Sequence, residues 1–232
     1  MEKNKILIVT PAYNEEQNIL FVIDEVKKYA NEFDWLIVND CSTDKTLEII
    51  QKNNINHISN SQNSGYYKTL QNGIKYAYEN GYDYVITFDS DRQHMAKEIP
   101  NLAEKIQNTN YDLVLASRYL IKNNNSNIFQ KLGIILSQKV IKDNFNLEIT
   151  DATSGFRCMN RKIMEEIISL DEIKTLELSF IVSLLIKKYT ISEIPTQMRE
   201  RTYGTSMFKG IRRRLKYTKL IIDETKKQLK GK

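Results

Sequence analysis

Near-continuous apolar runs alternate along this chain with stretches in which apolar residues recur every three or four positions. Lys5 to Thr10 (KILIVT), Trp35 to Val38 (WLIV), Tyr84 to Phe88 (YVITF) and Leu113 to Ala116 read as strands buried on both faces. A weaker strand surrounds His57 and Ile58. Between the runs, Ile19, Val22, Ile23 and Val26 follow helical spacing behind Asn14 and Glu15. Further helices are predicted over Lys45 to Lys52, around Leu70, Ile74, Ala77 and Tyr78 with a stop near Gly81, over Ile99 to Gln107, and from Leu178 to Ile186. This order predicts an α/β fold, a mostly parallel sheet flanked by helices. Ligands of such sheets sit beyond the carboxyl ends of the strands, so the polar residues that follow each strand carry the functional information. Three clusters qualify: Pro11 to Glu15, Asn39 to Asp44, and Asp89 to His94.

The third cluster carries the sharpest chemistry. Asp89 and Asp91, one residue apart just past a strand, can aim two hard oxygen ligands at one divalent ion, Mg²⁺ or Mn²⁺, with Gln93 beside them. Such an ion would bridge and neutralise a diphosphate leaving group. The bland alternative is a helix cap with a solvated turn. His94 adjoins the motif as a possible phosphate contact; His57 reads as structural or exposed.

Composition narrows the class. Hydrophobic residues make up 41% and charged residues 27%, an ordinary globular mix, and only 8 Gly and 3 Pro argue against a turn-rich all-β fold. The net charge of +5 is unevenly placed: residues 205–232 hold ten Lys or Arg against two acids, leaving a slightly acidic body. That speaks against nucleic acid as the partner of the body. Phe208, Ile211, Leu215 and Ile222 recur at helical spacing among Lys209, Arg212, Arg213, Arg214, Lys216 and Lys219, the pattern of a basic amphipathic helix on an anionic membrane surface. The alternative is a helix that packs on the body or joins subunits. The longest apolar run, Phe180 to Ile186, is too short to span a membrane, and no signal peptide is read at the N-terminus. The expected location is therefore cytoplasmic and peripheral, at the inner face of the cell membrane. Cys41 and Cys158 have neither metal nor disulfide spacing and read as packing thiols.

Seven segments together make a specific resemblance: PAYNEEQNI (11–19), VNDCSTDKT (38–46), NSGYYKTLQNGI (63–74), FDSDRQH (88–94), ASR (116–118), TDATSGFR (150–157) and RTYGTS (201–206). In this order the chain resembles the family 2 glycosyltransferases of GT-A fold, in particular their dolichol-phosphate-mannose-synthase-like branch. Asn39, Cys41, Ala116 and the pair Tyr66 and Tyr67 depart from the commoner residues of that pattern.

The resemblance implies a nucleotide-sugar donor, read as a UDP-sugar, a divalent metal held by Asp89, Asp91 and Gln93, and inversion at the anomeric carbon. It implies donor contacts from Pro11, Tyr13, Glu15, Asp40, Asp89, Ser90, Arg118 and Arg201, with Asp40 accepting from the base. Asp40 and Glu15 are alternatively helix-terminal acids. Arg201 and Gly204 fit the R-x-x-G-x-S loop, which in the family closes over the diphosphate. Arg157 belongs to SGFR, and Arg199 reads equally as a surface residue. Asp91 is expected in the catalytic centre, Asp151 is the first candidate base and Glu177 the second. The domain reading is a GT-A domain over 1–204 and a basic tail over 205–232.

Three other classes compete. A dinucleotide-binding enzyme needs G-x-G-x-x-G after the first strand, where this chain has Pro11 to Glu15. A sugar nucleotidyltransferase needs a Gly-rich basic N-terminal loop. A basic binding protein is disfavoured by the acidic body. The acceptor stays open between a polyprenyl phosphate or lipid-linked glycan of bacterial surface polysaccharide synthesis and a soluble or protein hydroxyl. A phosphate attacks without a base, whereas a hydroxyl requires one. The sequence carries no signal of oligomeric state.

Overall fold

Among the described residues, seven strands form one sheet in the order β3-β2-β1-β4-β6-β5-β7. The computed structural model describes residues 4–121, 128–171, 175–200 and 211–230. The elements are β1 (Ile6–Ala12), α1 (Ile19–Tyr29), β2 (Asp34–Asn39), α2 (Thr46–Lys52), β3 (His57–Ser59), α3 (Tyr66–Glu79), β4 (Tyr84–Thr87), α4 (Ile99–Gln107), β5 (Leu113–Ser117), α5 (Ile128–Phe145), β6 (Arg157–Asn160), α6 (Arg161–Ile168), α7 (Leu178–Ile186), β7 (Ile191–Pro195) and α8 (Ile211–Lys230). β1 pairs in parallel with both β2 and β4, so the chain winds outward to β3 and returns on the other side of β1. That reversal opens a crevice beyond β1 and β4, where ligands of such sheets bind. β6 runs antiparallel to both of its neighbours and fills the gap between β4 and β5.

Alternate residues of each strand face opposite layers. Leu7, Val9, Leu36, Val38, Val85 and Leu113 pack with Leu70, Ile74, Ile163 and Ile181 from α3, α6 and α7. Ile6, Ile8, Ile86 and Val114 pack with Val22, Val26, Leu102 and Ile106 from α1 and α4. α3 sits unusually close to the sheet, because a Cβ at Gly73 would lie 2.3 Å from Val9 Cγ1 and 2.9 Å from Val38 Cγ2. Only glycine permits that approach, and it fixes the height of α3 and of the tyrosines at its first turn.

The expected strands are present, as are the expected helices α1 to α4 and α7, whereas α5, β6, α6 and β7 lie outside the predicted elements. The tail is helical from Ile211, and its later half leans on α7, with Ile221 and Leu229 against the core and Thr225 buried. The expected boundary between 204 and 205 lies outside the described residues. No described helix is long and apolar enough to cross a membrane. Cys158 is buried, and burial pushes its thiol far above the usual range; Cys41 is half-buried.

Candidate functional site

A cavity of about 500 Å³ opens over the ends of β1, β2 and β4. The Pro11 carbonyl, Tyr13 and Glu15 line one edge, where Tyr13 is 46% exposed. The Ser90 hydroxyl donates to the Pro11 carbonyl at 2.8 Å, tying the Asp89–Asp91 loop to β1. Glu15 Oε2 accepts from Asn18 Nδ2 at 2.6 Å, and its backbone N–H donates to Thr46 Oγ1 at 2.7 Å, which sets the turn into α1.

Asp40 does not cap α2; Asp44 and Thr46 govern that helix start. The Asp40 carboxylate instead caps α3, accepting from the Ser64 and Gly65 amides at 2.8 and 2.9 Å and from Asn60 Nδ2 at 2.8 Å. A carboxylate has about four acceptor positions. Three are used, so Asp40, which faces the cavity, retains one for an N–H donor such as a pyrimidine imide.

Asp89 and Asp91 both line the cavity. Tyr66 Oη donates to Asp89 Oδ1 at 2.8 Å, while Asp89 Oδ2 faces His94 Nε2 at 3.6 Å. Burial of its hydroxyl, reinforced by Asp89, pushes the Tyr66 phenol well above its usual pKa, so it stays a donor at neutral pH. The Asp89 amide donates to His94 Nδ1 at 3.1 Å. That bond makes Nδ1 an acceptor and leaves the proton of a neutral ring on Nε2, toward Asp89. His94 stacks on Phe156 at 4.8 Å and is 3% exposed, so it supports Asp89 from behind. The Gln93 amide donates to Asp91 Oδ1 at 3.0 Å. Among the described residues, no three His, Cys, Asp or Glu side chains gather closely enough to hold a metal by themselves. Two carboxylates and the side-chain carbonyl of Gln93 nonetheless form a set of hard oxygens, which fits Mg²⁺ or Mn²⁺ when a phosphate-bearing ligand supplies further oxygens.

The opposite wall is cationic. Arg118 Nε and Nη2 reach Asp151 Oδ2 and Oδ1 at 2.6 and 2.7 Å in a bidentate pair. Burial opposes the Arg118 charge, but the hydrogen bonds and charge of Asp151 outweigh it and raise its pKa. Asp151 also accepts from the Arg118 amide and from Thr153 Oγ1, which completes its four positions, and it is 0% exposed. With these bonds it holds Arg118 in place. Glu193, on β7, holds this segment from behind, accepting from the Thr150 and Asp151 amides at 2.7 and 2.8 Å. Burial raises the Glu193 pKa against the pull of those amides.

Arg157 is buried and donates to the Leu176 and Ser154 carbonyls. Burial lowers its pKa, although a guanidinium keeps its charge at any ordinary pH. Glu177 lines the same wall, and Tyr67 Oη donates to its Oε1 at 3.2 Å. Arg199 pairs with Glu25 through both Nη atoms, and its amide donates to the Gln93 carbonyl at 2.9 Å, so it anchors its strand of chain to the Asp91 loop. Arg201 and Gly204 lie outside the described residues. Sequence reading passed over Thr153, Glu193 and the hydroxyls of Tyr66 and Tyr67, whose partners lie up to 110 positions away.

Comparison with known proteins places this cavity in context. The family model described as Glycosyl transferase family 2 matches residues 7–168. An uncharacterised protein of Methanocaldococcus jannaschii is 31% identical over 172 residues, covering 69% of this chain and 74% of that protein. A Methanococcus voltae protein named UDP-N-acetylglucosamine–dolichyl-phosphate N-acetylglucosaminyltransferase is 28% identical, covering 91% of this chain and 94% of its own length. Among solved structures, glucosyl-3-phosphoglycerate synthase of Mycobacterium tuberculosis, in complex with Mn²⁺, UDP and glucosyl-3-phosphoglycerate, superposes with a TM-score of 0.74 at 16% identity. That likeness covers 97% of this chain and 80% of the synthase and shows a shared GT-A fold.

Proposed function

The chain belongs to glycosyl transferase family 2, and from that premise we propose a metal-dependent, inverting enzyme that moves a sugar from a UDP-sugar to a polyprenyl phosphate. The observation that carries this reading is the polarity of one cavity. Carboxylates Asp40, Asp89 and Asp91 line one side and the guanidiniums Arg118 and Arg157 the other. A nucleoside diphosphate bridged to a cation suits the first wall, and an anionic acceptor suits the second.

In this reading Asp40 accepts from the base and Tyr13 offers its exposed ring at the rim. Pro11, Glu15 and Ser90 shape the wall between them. Asp89, Asp91 and Gln93 would hold the divalent ion. Bound there, it would supply Lewis-acid neutralisation of the diphosphate leaving group. Arg118, fixed by Asp151, orients the acceptor phosphate, which is ionised near neutral pH and needs no base. Arg201, in the R-x-x-G-x-S segment, is assigned to the diphosphate on the family resemblance. The Methanococcus voltae relative's printed name, with dolichyl phosphate as the acceptor of that protein, supports the same class here. Surface polysaccharide synthesis would be the setting.

One observation favours a second reading. Glu177 faces the cavity beside Tyr67 and could serve as the base for a hydroxyl of a lipid-linked glycan or another acceptor. Asp151→Asn does not separate the two readings, because it unpins Arg118. Glu177→Gln does. With a UDP-sugar, Mn²⁺ and undecaprenyl phosphate, the phosphate reading expects lipid-linked product and a loss of no more than a few-fold in Glu177→Gln. A loss of orders of magnitude with sugar-donor binding intact would assign the hydroxyl route.

The basic tail is proposed to rest on an anionic membrane, placing the enzyme peripherally at the inner face. Each basic residue near such a surface contributes about 1 kcal/mol. Anionic liposomes should capture the full chain and not a 1–207 truncation; equal capture of both overturns this part.

A further inference from the structure

Tyr66 and Tyr67 open α3, immediately after the amides of Ser64 and Gly65 that Asp40 caps. Consecutive helical residues diverge by about 100° around the axis, so the two rings leave the helix toward different walls of the cavity. They still touch edge to face, with centroids 5.1 Å apart and planes at 80°. Each hydroxyl ends on a different cavity carboxylate. Tyr66 Oη takes Asp89 Oδ1 at 2.8 Å, and Tyr67 Oη takes Glu177 Oε1 at 3.2 Å. Gly155 leaves room for the first bond, since a Cβ there would stand 3.3 Å from Tyr66 Oη and 3.5 Å from Asp89 Oδ2. The close seat of α3 at Gly73 keeps both rings at a fixed height above the sheet.

We propose that Tyr66 and Tyr67 are a pair of positioning residues, one serving each half of the cavity. Tyr66 holds the Asp89 carboxylate through Oδ1 and so sets the direction from which it meets the cation of the sugar donor. Tyr67 holds Glu177 toward the acceptor. A carboxylate on a short side chain with one oxygen tethered loses its rotational freedom about χ2. The geometry needed for cation binding is thus set before the ligand arrives. The rings, in contact with each other, keep the two carboxylates at a set separation. This inference rests on the sugar-donor and metal reading given above.

The test is Mn²⁺ binding in the presence of UDP, measured by calorimetry on the full chain, beside steady-state kinetics. Tyr66→Phe keeps the ring and removes only the hydroxyl. It is expected to weaken Mn²⁺ about tenfold or more, the range typical of lost outer-shell partners, and to raise the donor KM. Tyr67→Phe is expected to leave Mn²⁺ affinity unchanged and to lower kcat at constant donor KM by no more than the few-fold loss expected of Glu177→Gln. Wild-type Mn²⁺ affinity in Tyr66→Phe overturns the proposal, as does equal weakening of Mn²⁺ by both variants. Absence of Mn²⁺ and UDP binding in the wild type would instead bring down the metal reading itself, and this inference with it.

Discussion

The two walls of the cavity are built by different means. The wall over β1, β2 and β4 carries carboxylates, and the bonds described above to Asp40, Asp89 and Asp91 come from amides and a phenol. The wall over β5 and β6 carries guanidiniums, one neutralised by a buried carboxylate and one seated on backbone carbonyls. Amides and phenols orient a carboxylate without themselves bringing a compensating charge. The Arg118–Asp151 pair spends much of its Coulombic attraction internally, and what it gains is a planar donor held in one place. The lesson is that neutral donors orient the carboxylates of one wall, whereas an ion pair and backbone carbonyls fix the guanidiniums of the other.

This contrast can be broken from either side. The largest effect should come from Asp91→Asn, with turnover lower by on the order of 10²–10³-fold, the scale of losing one main electrostatic contact to the transition state. Its melting temperature should stay near the wild-type value, because Asp91 lies beyond the strand end. Steady-state kinetics and thermal unfolding check both halves of that statement. Asp151→Ala should behave oppositely. It removes the buried partner of a half-buried cation, so unfolding free energy should fall by up to about 3–5 kcal/mol, measured by urea denaturation. Near-wild-type stability would show that Arg118 swings to solvent and that the second wall is not preset. A smaller effect is expected for Ile221→Asp in α8, about 1–3 kcal/mol by the same method, if the tail helix belongs to the body as its packing on α7 indicates. Smaller still, Asp40→Asn should cost about 0.5–1.5 kcal/mol of stability, since an amide oxygen still caps α3, while weakening UDP more than Mn²⁺.

The first wall was legible in the hydrophobic pattern, whereas the second was named only residue by residue through the resemblance and its pairings were not legible, for a geometric reason. β1, β2 and β4 are apolar runs that end abruptly in polar residues, and in a parallel sheet each such ending points to the same crevice. β6 gives no such signal. It is four residues long, runs against its neighbours and begins with Arg157, a cation that becomes buried. β7 mixes Ile191 and Ile194 with Glu193 and Pro195, which hides it as a strand. Nothing in the sequence shows that Asp151 lies across Arg118, 33 positions earlier. Tyr66 and Tyr67 stood out only as departures from a family pattern. Their partners Asp89 and Glu177 become visible only once α3 is seated on the sheet.

The central claim is that the carboxylate wall binds a nucleoside diphosphate through a divalent ion. Calorimetric titration of UDP into wild type and Asp91→Asn, each with Mn²⁺ and with excess chelator, tests it most directly. The account predicts that Mn²⁺ strengthens UDP binding to the wild type at least about tenfold and gives little gain in Asp91→Asn, in the range seen when a metal site is impaired. Equal UDP affinity in all four titrations would contradict it.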